Sequence, residues 1–78
     1  VALRDALAAR LADPDPDTRL EAVHGLALRG DPRAAEAAPA ILADAAAGDA
    51  TPWRRHLVRE TAARLAAATG DDRFARWE

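Results

Sequence analysis

DPDPDTRLEAVHGLALRGDPR, residues 13–33, is one helix bracketed by two proline turns, and its reading decides the fold. Leu20, Val23 and Ala27 recur at helical spacing and make one apolar stripe. In front of them Asp15 stands at an N-cap position and Pro16 at the first helical position, where a missing N–H costs nothing. Behind them Gly30 is suited to the left-handed residue that ends helices, and Asp31-Pro32 restarts the chain at once. The stretch predicts a helix over 15–29, joined by a tight hairpin to the next.

Working outward, Leu3, Leu7 and Leu11 place a helix over 1–12, which ends at Asp13-Pro14 because proline cannot continue it. A third helix is expected over 32–47. Ala34, Ala38, Ile41, Leu42 and Ala45 fall on one side of it, with Arg33, Glu36, Ala40 and Asp44 on the other. Pro39 lies inside this helix, removes one backbone hydrogen bond and is expected to bend the helix without breaking it. Gly48 closes that helix, Thr51-Pro52 opens a fourth over 51–69, Gly70 ends it, and a helical stub follows near 72–77. No segment reads as a strand. Ala is the commonest residue and Leu the next apolar type, a balance that favours helix over sheet. The fold class is all-α.

At 78 residues the chain holds one domain at most, and burial of about 60–65% of the unfolded surface makes for a thin core. A net charge of −2 lacks the basic footprint of a nucleic-acid binder, although every positive side chain is Arg. No Cys is present, which excludes disulfides, thiolate metal sites and thiol nucleophiles and is compatible with the cytoplasm. No apolar run nears the ~20 residues that span a bilayer, so no membrane role is expected. The chain opens at Val1 without a signal segment and reads as a piece of a longer protein.

A shift of 40 residues superimposes Arg19 on Arg59, Ala22 on Ala62, Ala27 on Ala67, Gly30-Asp31 on Gly70-Asp71, and Arg33 on Arg73. Two helices per ~40 residues is the period of HEAT and armadillo solenoids, in which each pair leans on the next to cover its apolar face. The chain resembles a HEAT repeat, including the HEAT-like variety named after phycobilisome lyases. Asp13, Thr18 and Arg19 match that family's turn, with Thr in the aliphatic place, and Pro39, Val58 and Arg59 match the next unit. The resemblance implies an α-solenoid with a partial repeat over 1–30, a repeat over 31–70 and the start of another over 71–78. It also implies that Pro39 is the family's kink and that Arg19 and Arg59 pair with turn carboxylates, Asp13 and Asp49. Asp49 lies ten residues before Arg59 where the pattern has six, so four extra residues lengthen this turn and bring in Trp53.

Several groupings could carry chemistry. Glu21 and His24 have the Glu-x-x-His spacing of carboxylate-bridged di-iron bundles, and His56 and Glu60 stand one turn apart. A metal site needs several such pairs converging, and these fall on polar helix sides, so solvated residues are the expectation. The HEAT-like deoxyhypusine hydroxylases bind iron through His-Glu dipeptides; here the dipeptides are His24-Gly25 and His56-Leu57. Trp53, Arg54, Arg55 and Arg59 set a ring beside guanidiniums, which suits anion or nucleic-acid contact. The competing expectation is a solvated face with Trp53 packed on the core. Asp13, Asp15 and Asp17 lack the glycine and distal glutamate of a calcium loop and are read as caps. There is no Ser, and no Thr is set beside a His as a nucleophile–base pair.

The sequence therefore points to a non-catalytic scaffold for a protein partner, with no cofactor or metal. Its candidate contact residues are Glu21, His24, Leu28, Trp53, Arg54, Arg55, His56 and Glu60. The alternative is the repeat wall of a nucleic-acid-binding or enzyme-associated HEAT-like protein. Two further expectations concern packing. Arg19 should be partly buried and partnered through Asp13. Leu3, Leu7 and Leu11 at one end, with Phe74 and Trp77 at the other, should leave exposed apolar area at the termini and favour end-to-end self-association.

Overall fold

The computed structural model describes residues 2–77, and for Ala2 the backbone alone. Four α-helices follow one another: α1 (Ala2–Arg10), α2 (Pro16–Leu28), α3 (Pro32–Ala46) and α4 (Pro52–Thr69). A terminal 3-10 helix (Asp72–Trp77) closes the chain, and no strand occurs among the described residues. Proline stands at the start of α2, α3 and α4, as the cap-then-proline pattern requires. Asp31 and Thr51 cap α3 and α4 by accepting from the backbone N–H groups of Arg33 and Arg54. Asp15 holds the N-cap of α2, but its carboxylate accepts from the Thr18 hydroxyl (2.7 Å).

α3 runs unbroken through Pro39. Proline offers no N–H to the Ala35 carbonyl, yet the Ala-rich flanks and a buried face of Ala34, Ala38, Ile41, Leu42 and Ala45 hold the helix together. The core joins these to Leu20, Val23 and Leu26 of α2, Val58, Ala62 and Leu65 of α4, and Phe74. α1 leans on α2 where Gly25 lacks a side chain; a Cβ there would stand 3.1 Å from Leu7 Cδ1.

α2 packs against α1, α3 and α4, while α4 also meets α3 and the terminal 3-10 helix. The cross-links between α2 and α4 fix their direction. Asp17 meets Arg54 near both N-termini, His24 meets Glu60 further along, and Ala27 and Gly30 share a hollow with Leu65 and Thr69 at both C-termini. α2 and α4 are therefore parallel neighbours, with α3 returning the chain between them. The whole measures 33 × 29 × 17 Å, a slab about two helices thick.

The repeated Gly-Asp-x-Arg sequence makes the same Asp–Arg clasp at two corners whose helix ends close differently, since at the second the Gly70 N–H bonds to the Ala66 carbonyl and the Asp71 N–H to the Thr69 hydroxyl. Gly30 and Gly70 both adopt positive φ, +66° and +70°. At the first corner the Asp31 N–H bonds to the Leu26 carbonyl and the Gly30 N–H to that of Ala27, a Schellman closure. Asp31 then accepts from the Arg33 N–H and from its guanidinium; Asp71 accepts in the same way from Arg73.

Two expectations need correction. Phe74 is fully buried, because the 3-10 helix folds back onto α4. Leu7, Leu11 and Trp77 are also partly covered by the core, so among the described residues exposed apolar area does not gather at the ends: their exposed large apolar side chains are Leu3, Leu28 and Trp53. Arg19 is partly buried and partnered through Asp13 as expected, but through that residue's carbonyl and not the turn carboxylate that the resemblance implied. It donates to the Asp13 carbonyl (2.6 Å) and to the carboxylate of Asp44 on α3 (3.0 Å). The Asp13 carboxylate is instead taken by the N–H of Asp15, which turns the chain between the two prolines.

Candidate functional site

The parallel pair α2 and α4 gathers most of the candidate residues along one seam. Buried positions on α4 are Val58, Thr61, Ala62 and Leu65, a stripe that extrapolates back one turn to Arg54. Arg54 accordingly points inward and donates to Asp17 of α2 at 2.6 Å. Trp53, one residue earlier, is rotated by about 100° and left 45% exposed. The expectation that Trp53 packs on the core fails for this reason.

Further along the seam, Glu60 is the common acceptor. One of its carboxylate oxygens lies 3.3 Å from His24 Nε2 on α2, the other 3.2 Å from His56 Nε2 one turn earlier on α4. Arg64 stands 3.9 Å away on the next turn. The His24 hydrogen bond, aided by the nearby positive charge, holds the Glu60 carboxyl below its ordinary range. His24 is mostly buried at 18% side-chain exposure, whereas His56 is 71% exposed. Sequence spacing had matched His24 with Glu21, one turn away on the same helix. The structure matches it with Glu60 across the seam, 36 residues on and close to one repeat period, the one signal that could have suggested it.

Glu21, Leu28, Arg55 and His56 are exposed. Leu28 lies at the C-terminal end of the α2–α4 face and Trp53 at its N-terminal end, so these exposed apolar groups do not meet. The Trp53, Arg54, Arg55 and Arg59 grouping is dispersed as well. Arg54 turns to α2, Trp53 to solvent, and Arg55 and Arg59 to a cleft beside Trp77 that the sequence reading missed. Arg59 makes no hydrogen bond to Asp49, in contrast to what the resemblance implied. The longer turn before α4, with Gly48 at φ +62°, separates the two.

This surface can form directional polar contacts and offers isolated apolar anchors. Among the described residues no three His, Cys, Asp or Glu side chains are grouped so that they could hold a metal ion. No described helix is long and apolar enough to cross a membrane. No family model matches the chain, and no curated protein or solved structure matches it either.

Proposed function

We propose that this chain is a stretch of HEAT-like α-solenoid that serves as a non-catalytic scaffold, presenting the α2–α4 face to a protein partner. One observation carries the reading: the second helices of two successive hairpins run parallel and side by side, each followed by the same Asp–Arg clasp of a Gly-Asp-x-Arg sequence. Stacked hairpins of this kind create an extended face from their second helices. Here that face carries Glu21, Leu28, His56 and Glu60, with Trp53 and Arg55 at one end. A mixture of aromatic, aliphatic and charged side chains suits protein contact better than a uniform basic stripe suits nucleic acid. End-to-end association belongs to the same reading, with exposed Leu3 as its apolar contact.

Site-specific photocrosslinking tests it. A crosslinker placed at Glu21 or His56 on the α2–α4 face is expected to give discrete protein adducts in the native lysate. The same group at Glu36, on the exposed side of α3, is expected to give none. Equal yields from both faces, or adducts with nucleic acid alone, would overturn the reading.

A further inference from the structure

We draw no further inference here: the strongest candidate, the His24–Glu60–His56 side-chain cluster across the α2–α4 seam, belongs to the face already described, and nothing in the structure shows what covers it.

Discussion

α2 and α4 are the same helix written twice, and their neighbours differ. At a 40-residue offset, Leu20, Val23 and Leu26 of α2 correspond to Glu60, Ala63 and Ala66 of α4. The first three are fully buried; of the second three, Ala63 is exposed and the others are partly so. α2 is followed by a full helix, α3, that lies against it, whereas α4 is followed by six residues of 3-10 helix. The positions toward each hairpin's own first helix show the reverse: Thr18 and Gly25 are only partly covered and Glu21 is exposed beside the short α1, while Val58, Thr61 and Leu65 are buried under α3. The two helices therefore share their corner residues and the buried Ala22 and Ala62, while their larger buried side chains sit at different positions.

The largest effect should come from Phe74, the fully buried side chain of the terminal 3-10 helix that docks on α4. Phe74→Ala is expected to cost about 3–5 kcal/mol, the loss of a fully buried aromatic, and to release the 3-10 helix. Chemical denaturation measures the cost, and amide exchange at residues 72–77 reports the release. An unchanged midpoint with unchanged exchange would mean that α4 is as bare on that flank as its Ala63 suggests.

Next in size is the pair Arg19 and Arg59. Arg19→Ala should cost about 1.5–3 kcal/mol, because it strands the Asp13 carbonyl and unpairs Asp44. Arg59→Ala should stay within about 0.5 kcal/mol, since no described residue depends on it. Equal costs would erase the distinction between the paired Arg19 and Arg59.

Thr61 sharpens the comparison from inside the core. Its hydroxyl is buried without a hydrogen-bond partner among the described residues, while Glu21 at the matching position of α2 is in solvent. Thr61→Val keeps the shape and removes the unpaired group, so a gain of about 1 kcal/mol is expected. A loss on the thermal melt would point to a water held by that hydroxyl.

The smallest effect concerns the twin corners at low pH. Arg33 lowers the Asp31 carboxyl from 3.8 to about 2, and Arg73 lowers Asp71 as well. A depressed carboxyl stabilises the fold above its unfolded value and loses that contribution as the pH falls through the folded one. For Asp31 the loss therefore runs from about 3.8 down through about 2. Arg33 also reaches Asp5 of α1 (3.3 Å), whereas Arg73 has no second carboxylate among the described residues and is more exposed. Melts between pH 5 and pH 2 should lose part of their acid sensitivity in Asp31→Asn and less of it in Asp71→Asn. The same flattening in both would show that α1 adds nothing to the first corner.

Much of this was legible beforehand because it is local. A proline after a capping Asp or Thr starts a helix wherever it occurs, and a glycine at positive φ ends one with little regard to its surroundings. The five helical segments, the unbroken passage through Pro39 and the buried side of α3 all follow from such signals. The candidate surface was half legible. Exposure of Glu21, Leu28, Arg55 and His56 follows from their polar faces or helix ends, but the fate of Trp53 and Arg54 turned on a rotation of about 100° that composition does not encode.

What the sequence by itself determined is thus the set of elements, their ends and the corner built by Gly-Asp-x-Arg, each set by contacts within a few residues. The tertiary structure alone decided that His24 meets Glu60, that Asp17 holds Arg54, and that Arg19 is neutralised by Asp44 while Arg59 faces an open cleft. Those pairs lie 25 to 37 residues apart; the first two need parallel packing of α2 against α4, and the third needs α3 packed against α2. A side chain's direction is set by helix phase, but its partner is set by which helix arrives opposite it. That depends on how the whole apolar surface is most completely covered.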